Sequence, residues 1–345
     1  MPEKIEIRTA STQDIAEFLL KNGEKAFRAK QINEWVWKKA VTSFDEMTNI
    51  SLKIRTLLAE QYEFQTLTPI ASQKSSDGTI KTAFKLHDGN VIESVLIPSR
   101  SRTTVCVSSQ VGCNLACAFC ATGKLKMQRN LTAAEIFDQV AWVNKQSFRE
   151  YGHKLTNIVY MGMGEPLLNY ENVLKSIEYI TSEDGLAMSP QRITVSTSGI
   201  VKNIKRLADD DIKFELAISL HTAINSKRTE LMPINKTQDL ELLSEAITYF
   251  HKKTGKRITY EYLMLKGVND SLADAKKLAK FSKIAPCKIN LIEFNATDSE
   301  FQGTDNEYMN KFADFLESKN LIVNVRRSKG KDIDAACGQL ANKTN

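Results

Sequence analysis

The spacing of apolar side chains divides the sequence into two parts. Up to about residue 62 they recur at helical spacing. The stripes are Ile15, Phe18 and Leu19; Ile32, Trp35 and Val36; and Leu52, Ile54, Leu57 and Leu58. From Thr79 the period becomes strand-like, and Asp88-Gly89 predicts a hairpin with a tight primed turn. The pattern therefore predicts a small all-helical N-terminal domain and a link between folding units near residues 70–78.

After Thr103, short apolar runs alternate with helical stretches. The runs are TTVCVSS, NIVYMG, RITVSTS, KFELAISL, ITYEYLML, KINLIEF and LIVNVR. This alternation predicts an α/β fold with a parallel sheet. About six or seven strand-helix units are fewer than a closed eightfold barrel needs, so we predict a partial (β/α) barrel with its functional residues at the C-terminal strand ends. The predicted domains are a helical accessory domain over 1–75, a β-hairpin extension over 76–102 and a catalytic core over 103–345.

Composition narrows the class of protein. The 345 residues are 42% hydrophobic, enough for a full core, and no apolar run approaches the roughly 20 residues that span a bilayer. The N-terminus lacks the apolar segment of a signal peptide, so we predict a cytoplasmic protein without membrane contact. In that reducing compartment the 6 cysteines are expected to be metal ligands, catalytic thiols or buried thiols.

A net charge of +6 suits a polyanionic partner and equally suits a solvated surface. Its distribution is more informative, because basic residues flank two groups of cysteines. Lys124, Lys126 and Arg129 follow the first group, and Arg326, Arg327, Lys329 and Lys331 precede Cys337. Nucleic-acid contact and solvated loops both remain open from charge alone.

Three cysteines give the main chemical signal. Cys113, Cys117 and Cys120 form a CxxxCxxC run in a loop between a strand and a helix. Iron-sulfur clusters usually take four cysteines, so a compact group of three leaves one iron open to S-adenosylmethionine (SAM). The alternatives are a structural zinc site completed elsewhere or unligated core cysteines. Zinc sites prefer paired ligands, and no histidine of the chain is grouped with a cysteine.

These residues belong to longer motifs that resemble the RlmN family of radical SAM RNA methyltransferases over nearly the whole chain. The motifs are CVSSQVGCNLACAFCATG, NLTAAEIFDQV, MGMGEPLLNY, VSTSGI, SLH, LMPINK, GVND and DIDAACGQL. The resemblance implies a partial radical-SAM barrel behind a small helical domain. It also implies that Cys113, Cys117 and Cys120 hold a [4Fe-4S] cluster. The implied SAM contacts are Gly164, Glu165, Ser196, Ser219, Leu220, His221 and Asn295.

The resemblance further assigns two catalytic thiols and a base. Cys337 matches the cysteine that is first methylated and then donates a methylene group, Cys106 the second thiol, and Glu93 a proton acceptor. The implied activity is methylation of carbon 2 of adenine in 23S ribosomal RNA, at the peptidyl-transferase centre, and in transfer RNA, 3′ of the anticodon. It consumes two SAM per turnover and forms a transient disulfide. Cys287 has no implied role and is expected to be buried.

The same resemblance implies a flavodoxin- or ferredoxin-type electron donor and a monomer. Two alternatives stay open: a Cfr-type enzyme that methylates carbon 8 of adenine, and a non-catalytic iron-sulfur or zinc RNA-binding protein. The residues Pro166 to Tyr170 after the GMGE turn resemble the carbon-2 enzymes more. The chain departs from the family pattern at Thr222-Ala223, Glu293 and Ala296, which we expect to affect loop shape and RNA contacts.

Overall fold

The computed structural model describes residues 4–342, and the N-terminal part of this range is mainly helical. Its elements are Ile5–Glu6 (β1), Thr12–Lys21 (α1), Arg28–Asn33 (α2), continued by a π-helical turn over Glu34–Lys38, Leu52–Gln61 (α3) and Tyr62–Glu63 (β2). Strands β1 and β2 pair in parallel, so the module contains a short pair of strands that helical periodicity does not reveal. Ile15 and Leu19 are buried as predicted, whereas Leu52 is 67% exposed on the first turn of α3.

The remaining elements follow the predicted alternation of strands and helices. The strands are Thr68–Lys74 (β3), Ile80–Lys85 (β4), Val91–Ser99 (β5), Arg102–Cys106 (β6), Gln110–Val111 (β7), Arg129–Asn130 (β8), Asn157–Tyr160 (β9), Ile193–Thr197 (β10), Glu215–Ser219 (β11), Ile258–Met264 (β12), Cys287–Glu293 (β13) and Ile322–Arg326 (β14). The helices are Ala133–Tyr151 (α4), Tyr170–Thr181 (α5), Val201–Asp209 (α6), Asn225–Leu231 (α7), Leu240–Thr254 (α8), Leu272–Phe281 (α9) and Asn306–Glu317 (α10).

Except for β1, β2 and the separate pair β7–β8, these strands form one 10-stranded sheet in the order β14-β13-β12-β11-β10-β9-β6-β5-β4-β3. From β6 to β14 the neighbours are parallel, and from β3 to β6 they are antiparallel. The edge strands β3 and β14 do not pair with each other, so the sheet stays open. This confirms the predicted partial (β/α) barrel.

Two local predictions are wrong. The link expected near residues 70–78 is largely the edge strand β3, whose side chains are partly or fully exposed. At the hairpin between β4 and β5, only Gly89 has a positive φ, and Asp88 instead accepts a hydrogen bond from the Asn90 N–H at 3.0 Å. The turn is therefore an Asx-type turn with one left-handed glycine.

The N-terminal module packs on α4 through a buried ion pair. The Nη1 atom of Arg8 lies 2.9 Å from a carboxylate oxygen of Asp138, and the guanidinium lies over the rings of Phe64 and Phe137. Lys145, also on α4, donates to the carbonyl of Ala40 at 2.9 Å. Among the helices of residues 4–342, none is long and apolar enough to cross a membrane.

Candidate functional site

The loop that carries the three cysteines is closed at its base by the strand pair β7–β8, in which Gln110 faces Asn130. Gly112 has a φ of +79°, and a Cβ there would lie 2.5 Å from the carbonyl oxygen of Lys126, so a larger residue would push the two arms apart. The Ala118 N–H donates to the carbonyl of Leu231, the last residue of α7, at 2.9 Å. These backbone contacts fix the position of the loop.

Cys113, Cys117 and Cys120 border a single cavity at the C-terminal strand ends. Burial raises the pKa of Cys113 to about 11 and that of Cys117 further, and the neighbouring thiols add to both shifts. Within residues 4–342, no three His, Cys, Asp or Glu side chains converge as a single metal ion requires. The donor set on this loop is three thiols, which suits an iron-sulfur cluster with one iron left open. Cluster binding would need these thiols deprotonated.

Glu165 stands at the edge of the same cavity, on a turn built from glycines. A Cβ at Gly162 would lie 2.7 Å from the carbonyl of Val107, and one at Gly164, with a φ of +96°, 2.5 Å from the Cβ of Gln110. The buried carboxylate of Glu165 accepts hydrogen bonds from the N–H groups of Leu167 at 3.0 Å and Ser198 at 2.7 Å. It is therefore held in place with lone pairs left for an ammonium group.

His221 borders the cavity as a neutral hydrogen-bond donor. Its Nδ1 atom accepts from the N–H of Leu263 at 3.0 Å, so the ring proton is on Nε2. Burial, helped by the nearby Arg228 cation, lowers the pKa of His221 to about 3. Ser196 and Ser219 lie on the neighbouring strands β10 and β11, with their hydroxyl oxygens 3.3 Å apart, and also face the cavity.

Two expected SAM contacts do not border the cavity. Leu220 is fully buried and donates its N–H to the carbonyl of Glu261 at 3.0 Å. The side-chain nitrogen of Asn295 donates to the carbonyl of Cys337 at 3.3 Å. Its Oδ1 atom is buried and has no hydrogen-bond partner within residues 4–342. A buried acceptor without a donor is costly, which fits a place for a polar ligand group.

Cys337 borders the cavity and belongs to the C-terminal segment, which comprises the described residues 327–342 after β14. Cys106 lies at the end of β6. Cys337 is exposed and borders the cavity, and the protein around its sulfur, followed by Cys120 and Glu261, raises its pKa to about 12. Burial and then the neighbouring Cys337 raise the pKa of Cys106 to about 12. The two thiols are distant in sequence but close enough to interact electrostatically, and both are free cysteines.

Glu93 lies on β5 and is fully buried away from the cavity lining. One carboxylate oxygen is 3.3 Å from the ammonium of Lys81, and the other accepts from the N–H groups of Ala341 at 2.9 Å and Asn342 at 3.1 Å. The same segment is also held by Thr122 of the cysteine loop, whose hydroxyl donates to the carbonyl of Leu340 at 2.6 Å. In this structure Glu93 therefore holds the segment that carries Cys337.

Sequence reasoning missed two charged residues of the site, Glu261 and Arg228. Glu261 borders the cavity from β12, and one of its oxygens accepts from the side-chain nitrogen of Asn290 at 2.7 Å. A lone carboxylate inside the apolar run ITYEYLML was the available signal. Arg228, on α7, is 0% exposed, and its helix sequence gives no such signal.

Arg129, one of the basic residues that follow the cysteine loop, is bound by two carboxylates. Its guanidinium makes two bonds of 2.8 Å to the carboxylate of Glu135 and one of 2.5 Å to Asp88. The departure at Glu293 also has a structural role, because its carboxylate lies 2.9 Å from the ammonium of Lys331 and accepts from the Ser328 N–H. These contacts fix the start of the C-terminal segment.

Comparison with known proteins agrees with this geometry. Two family models match: the ribosomal RNA large subunit methyltransferase N-terminal domain over residues 5–64 and the radical SAM superfamily over residues 107–279. A protein of Christiangramia forsetii described as a probable dual-specificity RNA methyltransferase RlmN is 54% identical, over 99% of this chain and 97% of its own length. A protein of the same description from Flavobacterium johnsoniae is 52% identical, over 99% and 98%.

A solved structure is also similar over almost the entire fold. The crystal structure of a radical SAM methyltransferase from Sphaerobacter thermophilus matches with a TM-score of 0.92 and 40% sequence identity. The match covers 97% of this chain and 99% of that one.

Proposed function

Because the chain belongs to the RlmN family of radical SAM RNA methyltransferases, we propose that it methylates carbon 2 of adenine in 23S ribosomal RNA and in transfer RNA. The observation that carries this proposal is the meeting of two groups of thiols. The three thiols of the cysteine loop and the distant Cys337 border one cavity, with Cys106 close to Cys337. A protein that only binds a metal and catalyses no reaction would not need the second group of thiols, Cys106 and Cys337.

As a radical SAM protein, the chain uses a [4Fe-4S] cluster and SAM. Cys113, Cys117 and Cys120 would hold the cluster. Gly164, Glu165, Ser196, Ser219 and His221 would hold SAM, with the Glu165 carboxylate toward its ammonium, and Leu220 and Asn295 would support these contacts from outside the cavity lining. When bound, these cofactors supply a radical that removes a hydrogen atom. His221 would offer its Nε2 proton to an acceptor atom at any pH in the cell, since it stays neutral.

The two remaining thiols, Cys337 and Cys106, have different roles in the transfer of the methyl carbon to adenine. Cys337 would accept a methyl group from a first SAM. After the radical derived from a second SAM has removed one hydrogen atom from this methyl group, its carbon would bond to carbon 2 of adenine, and the odd electron of the adduct would return to the cluster. Glu93 is the proposed acceptor of the ring proton, in addition to its hold on residues 341 and 342. The Cys106 thiolate attacks the Cys337 sulfur. The carbon-sulfur bond breaks, the carbon takes the electron pair and a proton, and a disulfide remains for an external dithiol to reduce.

The partners follow from the same proposal. Residues 1–75 would form an accessory RNA-binding domain, 76–102 a hairpin extension, and 103–345 the catalytic core with the Cys337 segment. The target positions are the peptidyl-transferase centre and the base 3′ of the anticodon, where an adenine can leave its stack. A flavodoxin or ferredoxin would supply electrons to a cytoplasmic monomer.

The different roles of Cys106 and Cys337 give the test. In a Cys106→Ala variant, Cys337 should still be methylated and still bond to RNA, but nothing can break the thioether. A denaturation-resistant RNA-protein species should accumulate and disappear on nuclease digestion. Cys337→Ala is the matched control and should give no such species. Normal turnover by Cys106→Ala would refute the assignment. Liquid chromatography with mass spectrometry of digested wild-type product, against 2-methyladenosine and 8-methyladenosine standards, would separate carbon-2 from carbon-8 methylation.

A further inference from the structure

Two arginines are fully buried within residues 4–342, and their surroundings differ in one respect. Arg8 has a carboxylate partner, since its Nη1 lies 2.9 Å from Asp138. Arg228 has none: no Asp or Glu oxygen of the described residues lies within 4.0 Å of its guanidinium. A buried guanidinium without an anion is costly, because water is lost and no opposite charge replaces it. An anion is therefore expected beside Arg228 in the functional protein.

The hydrogen bonds of Arg228 orient it without neutralising it. Nη1 donates to Oδ1 of Asn235 at 3.0 Å, and Nη2 donates to the carbonyls of Ser198 at 2.7 Å and Ser219 at 3.3 Å. Nε is buried and has no partner in the range 4–342. All the acceptors are neutral, so the full positive charge stays in the interior.

The charge lies behind the cysteine loop. Arg228 is on α7, whose last carbonyl, that of Leu231, accepts the N–H of Ala118 inside the loop. The Nη2 atom of Arg228 donates to the carbonyls of Ser198 and Ser219, and both of these residues border the cavity that the three thiols share. The unneutralised cation thus lies directly behind the wall of the cavity that the three thiols border.

We propose that Arg228 is the counter-cation of the iron-sulfur cluster and makes the cluster easier to reduce. This rests on the proposed function only in assigning the cluster to Cys113, Cys117 and Cys120. A [4Fe-4S] cluster with three thiolate ligands carries a net negative charge, and reduction adds another electron. A buried cation stabilises the more negative state, because net charge around a cluster sets its potential and low dielectric strengthens the effect. Arg228 acts through the cluster and contacts no substrate in this role.

The test is a redox titration of the anaerobically reconstituted protein without SAM or RNA. Electron paramagnetic resonance measures the amount of reduced cluster at each potential and so gives its midpoint potential. Arg228→Gln should shift the midpoint potential to a more negative value, whereas Arg228→Lys, which keeps the charge, should stay near the wild type. Arg8→Gln is the matched control: it also removes a buried arginine and should lower stability while leaving the midpoint unchanged.

Asn235→Asp gives a second measurement that leaves Arg228 in place. It puts a carboxylate on the Nη1 partner, neutralises the cation, and should shift the midpoint in the same negative direction. An unchanged midpoint in both Arg228→Gln and Asn235→Asp would overturn the proposal. So would equal shifts in Arg228→Gln and Arg228→Lys, since shape rather than charge would then be responsible. Failure of the wild type to bind a cluster would instead refute the proposed function.

Discussion

Individual thiols of this protein differ in their expected importance, although four of the described cysteines lie around one cavity and a fifth close by. Replacing Cys113, Cys117 or Cys120 by alanine should abolish cluster assembly, because each change removes one of three ligands. The measurement is iron content and visible absorption after anaerobic reconstitution, with SAM cleavage as a second readout. Full cleavage activity in any of the three would contradict the ligand assignment.

Cys287 provides the control for these variants. It is buried at the start of β13, where its thiol donates to the carbonyl of Ser282 at 3.4 Å. Serine can keep that hydrogen bond, so Cys287→Ser should retain the cluster and activity. Complete inactivation would reveal a fourth essential thiol.

His221 should make the metal-free protein sensitive to acid. Its pKa is lowered from 6.5 to about 3, so the unfolded chain binds a proton in this range and the folded protein does not. The free energy of unfolding is therefore unaffected by protonation of this group above about pH 6.5. It declines as the pH falls toward 3, by up to about 1.4 kcal/mol per pH unit. Urea unfolding at several pH values should show a shallower decline for His221→Gln, and parallel profiles would argue against a neutral buried histidine.

The motif residues could be predicted from the sequence because their spacing carries the chemistry, as in CxxxCxxC. In the structure, Cys337 and the cysteine loop border the same cavity. Arg228 has no such motif, and Glu261 is marked only as a lone carboxylate in an apolar run. Their significance depends on what lies across the fold: a missing carboxylate for one, and a cavity for the other.

At the level of secondary-structure elements, the least predictable one was β3. Its sequence TPIASQK has no alternating apolar face, because an edge strand with exposed side chains needs none. Its pairing with β4, with Ser72 opposite Thr82, fixes it instead. Strands buried on both faces, such as β12, were recognised because every residue in them is buried and most are apolar.

The C-terminal segment is the element whose position depends most clearly on one side chain. In Glu93→Gln, the amide keeps one acceptor oxygen but loses the charge that faces Lys81 and two backbone N–H groups. Hydrogen exchange of a peptide covering residues 336–342 should become faster by about tenfold or more, since bonds to a charged group contribute roughly 1.5–3 kcal/mol. Glu60→Gln, at an exposed position on α3, should leave this exchange unchanged.

SAM cleavage without RNA should survive Glu93→Gln, because Glu93 does not border the cavity. Unchanged exchange in the C-terminal peptide would show that other contacts hold the segment, such as that of Thr122 with Leu340.

For the whole molecule, the sequence predicted the open α/β barrel because alternation of strands and helices leaves few topologies. It did not predict that the antiparallel strands β3 to β5 continue the barrel sheet. The local pattern of apolar residues identifies a strand but does not determine which distant strand it pairs with. The positive charge of the molecule is likewise only partly available to RNA, because Arg129 is bound by Glu135 and Asp88.

Lys124 and Lys126 remain exposed beside the cysteine loop. Changing both to glutamine should weaken RNA binding and lower the slope of log K against log salt by about 0.7–0.9 for each RNA phosphate that is no longer neutralised. The control is Lys276→Gln with Lys277→Gln, which removes the same charge from exposed positions on α9. Binding measured at several salt concentrations should separate them, and equal slopes would assign Lys124 and Lys126 to the solvated surface.

The contact between Glu93 and the C-terminal segment joins positions 248 residues apart, with the whole parallel part of the sheet between them. Closing so long a loop before the intervening strands exist would cost entropy with little return, so the segment attaches late in folding. Cys337 then meets Cys106 only in a molecule whose sheet is already complete.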